Sequence, residues 1–177
     1  MLALAAHIVF CSSTTAVFER VLGATIGTDS PAVLEQAFGS RSRVLRHYWS
    51  DKERCYVRDD GWNWWSWPEA NAFVQIYWTP AYPASMRRID SVTICRPFGK
   101  KPLVSIRPSG SRVGWLDGIR IGMSEENCLR VLRARFGSPR RQFNQWIWSS
   151  RVASLEVYCE DGRLCEILVS QLREPGQ

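Results

Sequence analysis

The side chains capable of catalysis are few, and their spacing matches no catalytic motif. His7 lies in a predicted signal segment, and no cysteine or serine is tied to His47 by a known motif. The acidic pairs Asp59-Asp60 and Glu125-Glu126 are typical of a turn and of a helix start. A phosphate-binding glycine loop and the ligand spacing of a metal site are both missing from the sequence. We therefore predict a protein that is not an enzyme and has no cofactor or metal.

The six cysteines indicate an exported protein, because disulfide bonds persist in oxidising compartments. The disulfide candidates are Cys55, Cys95, Cys159 and Cys165. Cys159 and Cys165 flank a predicted hairpin turn. With a loop over residues 161–163 they face each other and can form a cross-strand disulfide, whereas with a loop over residues 160–162 they are diagonal neighbours on the same face and bonding is harder. In either register the alternative is a pair of buried core thiols. Cys128 falls on a predicted helix and is expected in the core. The absence of Cys-x-x-Cys argues against zinc ribbons and thioredoxin-type sites.

Nine tryptophans are the most unusual feature of the composition, and residues 62–67 read Trp-Asn-Trp-Trp-Ser-Trp. Asp59-Asp60-Gly61 before this run and Pro68 after it predict a loop. Such a loop can either cover an open sheet face or form a binding surface. We favour the binding surface, because tryptophan and tyrosine dominate protein interfaces. The predicted partner-binding residues are Trp49, Trp62, Trp64, Trp65, Trp67, Tyr77, Trp78, Trp146 and Trp148.

Two helices are predicted, each within a similar pattern in one half of the chain. Residues 26–30 read Ile-Gly-Thr-Asp-Ser and precede an apolar helix pattern that ends in Phe38-Gly39-Ser40. Residues 121–125 read Ile-Gly-Met-Ser-Glu and precede a second helix that ends in Phe136-Gly137-Ser138. Asp29 or Ser30 is the expected N-cap of the first helix, and Ser124 that of the second.

Period-two alternation predicts antiparallel strands after each helix. They cover residues 46–49, 74–78 and 90–94 in the first half, and 145–148, 155–159 and 165–169 in the second. Asp161-Gly162 is a typical hairpin turn between the last two. The predicted fold class is therefore α+β, with two tandem helix-on-antiparallel-sheet repeats forming a small sheet platform and the helices on one face.

This repeat also predicts how the chain is divided. Residues 1–16 contain a short apolar run before Thr14-Thr15-Ala16 and predict a signal peptide. Residues 17–95 form repeat unit 1, with a tryptophan-rich insertion at 50–71. A linker at 96–117, repeat unit 2 at 118–170 and a tail at 171–177 follow. The apolar run is too short to span a bilayer, which takes ~20 residues. A periplasmic or secreted location is expected.

The net charge of +6 favours a partner with an acidic surface. Hydrophobic residues make up 45% of the chain, which is enough for a folded core. Lysine and arginine occur in short clusters rather than in one stripe, so nucleic acid is not an expected partner. The expected partner is another protein.

A family resemblance rests on three motifs in the second half. Residues 118–124 read Gly-Ile-Arg-Ile-Gly-Met-Ser, residues 136–139 Phe-Gly-Ser-Pro, and residues 157–163 Val-Tyr-Cys-Glu-Asp-Gly-Arg. In this order, with a helix and aromatic strands between them, they resemble the SmpA/OmlA (BamE-like) lipoprotein unit. Two such units in one exported chain are similar to the architecture of the β-lactamase inhibitory proteins (BLIP-like). The first half departs from this pattern, because it lacks Gly-Met-Ser and contains the tryptophan insertion.

The resemblance implies a non-catalytic binder of the bacterial envelope or exterior. The predicted function is an exported protein-binding module, of the inhibitor or immunity type, that binds a secreted or periplasmic enzyme or toxin. The alternative is an envelope scaffold or accessory protein related to the SmpA/OmlA outer-membrane assembly lipoproteins.

Overall fold

The computed structural model of the protein describes residues 17–40, 44–50, 54–79, 84–99 and 103–172, with only the backbone for 44–50, 55–60 and 84. The predicted signal peptide, residues 1–16, lies outside the described residues, as do residues 173–177 of the predicted tail.

Strands are the main regular secondary structure of the described chain, and two α-helices accompany them. The helices are α1 (Ala32–Phe38) and α2 (Glu125–Phe136). The strands are β1 (Arg20–Val21), β2 (Ala24–Thr25), β3 (Val44–Ser50), β4 (Cys55–Trp67), β5 (Ala72–Trp78), β6 (Ile89–Cys95), β7 (Arg140–Gln142), β8 (Gln145–Ser149), β9 (Ala153–Glu160) and β10 (Arg163–Gln171). All six strands predicted from alternation are confirmed, since each falls within one of these elements.

The predicted fold class is wrong. The structure has one antiparallel sheet of eight strands in the order β3-β4-β5-β6-β10-β9-β8-β7, with a separate two-stranded hairpin of β1 and β2. This architecture does not contain two tandem helix-on-sheet repeats, because the fold is mostly sheet and its helices are few and short. The physical reason is the pairing of β6 with β10 over five residue pairs, which continues the sheet from one half of the chain into the other.

The tryptophan run is a strand, so the predicted loop is wrong for residues 55–67. In β4 the side chains of Asn63, Trp65 and Trp67 are buried, whereas those of Trp62 and Trp64 stay partly exposed. Aromatic residues suit a pleated surface, and their alternation here satisfies both faces of a sheet.

A glycine makes the close approach of β4 and β5 possible. Gly61 lies opposite Trp78, and a Cβ atom at Gly61 would lie 2.4 Å from the Trp78 ring. The sequence Asp59-Asp60-Gly61 predicted a turn. In the structure its glycine instead lies where the Trp78 ring packs against the backbone of β4.

The core lies between the helices and one face of the eight-stranded sheet. One row of directly paired residues crosses seven strands on this covered face. Its members are Trp65, Val74, Ile94, Ile167, Val157, Trp146 and Arg141. Leu34 of α1 and Cys128 and Leu132 of α2 are fully buried in the same core cluster. Both helices thus pack on the covered face.

The two helices begin differently. The Ser124 hydroxyl accepts a hydrogen bond from the Asn127 backbone N–H at 3.4 Å, which confirms the predicted N-cap of α2. The prediction for α1 is wrong, because Pro31 occupies its N-cap position without a side-chain cap. The Asp29 carboxylate instead accepts a hydrogen bond from the Thr25 backbone N–H at 2.8 Å.

Each helix ends on a glycine that is tied to a tryptophan of the sheet. The Trp65 indole N–H donates to the Gly39 carbonyl at 2.8 Å, and the Trp148 indole N–H donates to the Gly137 carbonyl at 2.9 Å. The last carbonyls of a helix lack intrahelical donors, so these bonds satisfy groups that would otherwise need water. Buried tryptophans therefore fix where each helix meets the sheet.

The predicted linker at residues 96–117 contributes to the core. Ile106, Trp115 and Leu116 are buried, and the Trp115 indole N–H donates to the Arg20 carbonyl at 3.0 Å. Ser105 forms a parallel bridge with Ser66 of β4. These contacts tie the segment between the two groups of strands to the edge of β4 and to the core cluster.

We predict that Trp65→Phe lowers the free energy of unfolding by about 2–3 kcal/mol, because it removes the indole donor to Gly39 and leaves a void. Denaturant titration followed by circular dichroism measures the change. The matched control is Trp64→Phe on the other face of the same strand, which should cost less than half as much. Equal losses in the two variants would contradict the assignment of Trp65 as a core anchor.

Candidate functional site

The second face of the eight-stranded sheet carries mixed side chains, some partly exposed and some buried. We call it the open face and define it by the row Trp64, Gln75, Thr93, Leu168, Glu156 and Ile147, which are paired from β4 to β8. Both described helices lie on the opposite face. Five of the row's six members are partly exposed, whereas five of the seven members of the covered-face row are buried.

Three aromatic rings form a cluster at one end of the open face. Trp64 stacks on Phe98 with ring centroids 6.0 Å apart, and each of these rings meets Phe73 edge to face, at 5.4 and 5.6 Å. Phe73 is buried beneath the other two, whereas Phe98 is 51% exposed. The cluster therefore combines a fixed base with an accessible apolar surface.

A second aromatic pair extends this surface along β4 and β5. Trp62 and Tyr77 are directly opposite in the sheet, with ring centroids 6.3 Å apart. The Tyr77 hydroxyl donates to the Gln75 side-chain oxygen at 3.0 Å. Partly exposed aromatic rings with polar neighbours are typical of protein interfaces.

The other half of the open face carries carboxylates. Glu166 on β10 lies directly between Cys95 of β6 and Tyr158 of β9, with Glu156 two residues further along β9. Burial, and then the nearby charge of Glu156, raise the pKa of the Glu166 carboxyl. The Ser154 hydroxyl donates to Glu156 at 3.1 Å. Ionised Glu166 is thus held in an environment that disfavours its charge.

Small polar side chains separate the aromatic half from the acidic half. Ser91 and Thr93 of β6, with Ser154 of β9, are buried between larger neighbours. The Ser154 and Ser170 hydroxyls are 3.0 Å apart and share a hydrogen bond.

The structure divides the predicted partner-binding residues between the two faces. Trp62, Trp64 and Tyr77 lie on the open face and form part of the candidate site. Four others are core residues rather than contact residues, because at most 5% of each is exposed. These four are Trp65, Trp67, Trp78 and Trp148.

Two predicted partner-binding residues remain. Trp146 is partly buried on the covered face, where its indole N–H donates to Glu125 at 2.6 Å and its ring lies under Arg133 and Arg141. The side chain of Trp49, on β3, lies outside the described residues.

The candidate site contains residues that the sequence analysis did not single out. Glu156 and Glu166 alternate with core residues on strands that were predicted, so the period-two pattern already marked them as outward-facing. Phe73 lies just before the predicted strand at 74–78, so no such pattern marked it. Phe98 carried no such signal, because it follows the end of β6 at residue 95 and reaches the cluster only through the tertiary fold.

The cysteines described with side chains, Cys95, Cys128, Cys159 and Cys165, are free thiols. The hairpin between β9 and β10 has the two-residue turn Asp161-Gly162, and a bulge at Cys165 changes the register. Cys159 therefore points into the core opposite Leu164, which places the two thiols in neither of the two expected arrangements. The side chain of the remaining disulfide candidate, Cys55, lies outside the described residues.

Burial dominates the chemistry of these thiols. Desolvation, followed by the charges of Cys159 and Glu125, raises the pKa of Cys128 to about 12. Desolvation likewise raises the pKa of Cys159 to about 11, and that of Cys95, beside Glu166, to about 11. Since the thiolate is the reactive form, these groups are unreactive near neutral pH.

Within the residues that the structure describes, no group of three or more histidine, cysteine or acidic side chains could hold a metal ion. No described helix is long and apolar enough to cross a membrane.

Comparisons with known proteins provide little beyond a distant structural likeness. No family model matches the chain, and no curated protein matches it. A solved structure from Bacillus subtilis, the DUF4309 family protein YjgB, is similar with a TM-score of 0.45 and 12% sequence identity, over 90% of each chain. The resemblance to the SmpA/OmlA unit and to the β-lactamase inhibitory proteins therefore rests on the sequence motifs alone.

We predict that Glu166→Gln stabilises the protein at neutral pH. The folded-state pKa of Glu166 is raised, so its contribution is fully present below the ordinary glutamate pKa of about 4.3 and is lost as pH rises through the folded value. The advantage of the variant should therefore appear at pH 7 and vanish at low pH.

Urea unfolding at several pH values measures this difference. The control is Glu126→Gln, because Glu126 is exposed in the first turn of α2, where its negative charge interacts favourably with the helix dipole. This control should be neutral or slightly destabilising at pH 7. A Glu166→Gln variant that is less stable than the unsubstituted protein at pH 7 would show that the carboxylate has a stabilising partner.

We predict that alkylation of the native protein modifies Cys165 well before Cys128 and Cys159, because Cys165 is partly exposed and the other two are buried. Iodoacetamide labelling followed by peptide mass spectrometry gives the rate at each site. In denaturant all three should react alike. Fast native labelling of Cys128 would contradict its burial.

Proposed function

We propose that this protein is an exported, non-catalytic protein-binding module of the inhibitor or immunity type, and that it binds a secreted or periplasmic enzyme or toxin through the open face. The observation that carries the proposal is the cluster of Trp64, Phe73 and Phe98, an accessible aromatic surface built on a rigid sheet.

The construction of the cluster supports this role. Tryptophan provides a large contact area and loses little rotamer entropy on binding, and interface hot spots are enriched in it. Trp64 is already stacked on Phe98 and packed on buried Phe73. A partner would therefore meet a surface whose rings need little further ordering, which reduces the entropic cost of binding.

The net charge of the chain favours partners of opposite charge at long range. At +6 the chain attracts a partner whose surface is acidic, and such attraction raises the association rate more than it raises the affinity. This long-range attraction depends on the charge of the whole molecule. The open face has its own charge pattern, which determines what the contacting residues of the partner should be.

Export rests on the apolar run in residues 1–16, and the three buried thiols are compatible with it. An oxidising compartment threatens cysteines that form thiolates. Burial raises the pKa values of Cys95, Cys128 and Cys159 to about 11 or 12, which protects them. Free cysteines of this kind can persist outside the cytosol.

A partner isolated from the secreted or periplasmic fraction of the producing organism tests the proposal. We expect a stoichiometric complex that inhibits the partner. Trp64→Ala should weaken the complex at least 30-fold by calorimetry, as expected when a hot spot contributing about 2 kcal/mol is lost.

The matched control is Phe143→Ala, because Phe143 is 88% exposed in the turn between β7 and β8, away from the cluster. This variant should bind with unchanged affinity. Unchanged affinity for Trp64→Ala would remove the cluster from the interface. Recovery of the protein only with outer-membrane assembly proteins, without inhibition of any enzyme, would favour the envelope-scaffold alternative.

A further inference from the structure

The open face differs in sign from the molecule as a whole. The chain carries +6, yet β9 and β10 present two carboxylates, Glu156 and Glu166, on the open face. At one end of the face Arg96 and Glu160 neutralise each other through a salt bridge of 2.9 Å. Arg140 pairs with Ile147 and continues the open-face row on the last strand, two strands from Glu156. The part of the open face on β9 and β10 therefore presents local negative charge.

A cation would stabilise the two ionised carboxylates more than their present neighbours do. Glu166 is half-buried between Cys95 and Tyr158, and Glu156 carries like charge on the adjacent strand. Covering them with an apolar partner would remove water and increase the repulsion, because charges interact more strongly in a low dielectric. A positive group placed over both would offset that cost.

The aromatic cluster lies at a distance that one short segment can span. Phe73 on β5 and Glu166 on β10 belong to the same row, with β6 between them. Two strand spacings separate them by about 10 Å, which three extended residues cover. A lysine or arginine side chain adds several ångströms of reach, so an apolar residue on the rings and a cation on the carboxylates fit in one segment.

We propose that the occupant of the open face is a protein segment in which an apolar or aromatic residue lies within about three positions of a lysine or arginine. The apolar residue packs on Trp64 and Phe98, and the cation lies over Glu156 and Glu166. This inference rests on the proposed function and specifies the partner's contact chemistry. It requires a basic contact segment on a partner that the net charge alone would predict to be acidic.

Selection of a displayed random-peptide library on the immobilised full-length protein tests the inference without knowledge of the natural partner. We expect the enriched peptides to combine lysine or arginine with a nearby aromatic or aliphatic residue. The best peptide, synthesised and titrated by calorimetry, should bind the Glu156→Gln/Glu166→Gln variant at least tenfold more weakly. Its affinity for the unsubstituted protein should fall with added salt.

Glu126→Gln is the matched control, because it removes one negative charge from the exposed start of α2 and leaves the open face intact. It should change the affinity less than twofold. Thermal unfolding of each variant confirms that it is folded.

The outcomes separate this inference from the proposed function. Peptides that lose binding on Trp64→Ala but have no basic preference would overturn the inference and leave the protein-binding role intact. Equal affinity for the double glutamine variant would do the same. Enriched peptides that ignore both Trp64→Ala and the glutamine variant, or no enrichment at all, would overturn both.

Discussion

The pairing of β6 with β10 is the contact on which the rest of the sheet depends. Five residue pairs between these strands join four strands from the first half of the chain to four from the second. Without this contact each group would have an additional unpaired edge and a smaller core, and small units of this kind are seldom stable alone. The pairing also places the aromatic half of the open face beside the acidic half, so it creates the candidate site together with the fold.

Alternation along the strands assigns the tryptophans to two different roles. Trp65 and Trp148 point to the covered face, where their indole N–H groups bond the carbonyls of the glycines that end α1 and α2. Trp62 and Trp64 point the other way, although they are neighbours of Trp65 in sequence. A single run of aromatic residues thereby anchors a helix with one set of side chains and presents an accessible surface with the other. Mutations at adjacent positions should consequently separate stability from binding.

The net charge of the molecule and the local charge of the open face act on a partner in different ways. A net charge of +6 acts at a distance and is screened by salt. Glu156 and Glu166 act at contact, in a partly desolvated environment that raises the pKa of Glu166. The two effects can have opposite signs because they depend on different distances. An acidic partner with a basic contact segment satisfies both.

The sequence determined the local structure wherever one short pattern was sufficient. The Ser124 cap, helix α2, the Asp161-Gly162 turn and six alternating strands all follow from neighbours a few residues apart. Only the tertiary structure decided that the tryptophan run is a strand, that the sheet is continuous, and that Phe98 joins Trp64 and Phe73. Those outcomes depend on pairing between residues far apart in the chain, such as Cys95 with Glu166, and local periodicity has no information about which strand lies beside which. For the same reason the sequence could identify tryptophan as the important residue type, while the choice between core and contact surface depended on which face the helices cover.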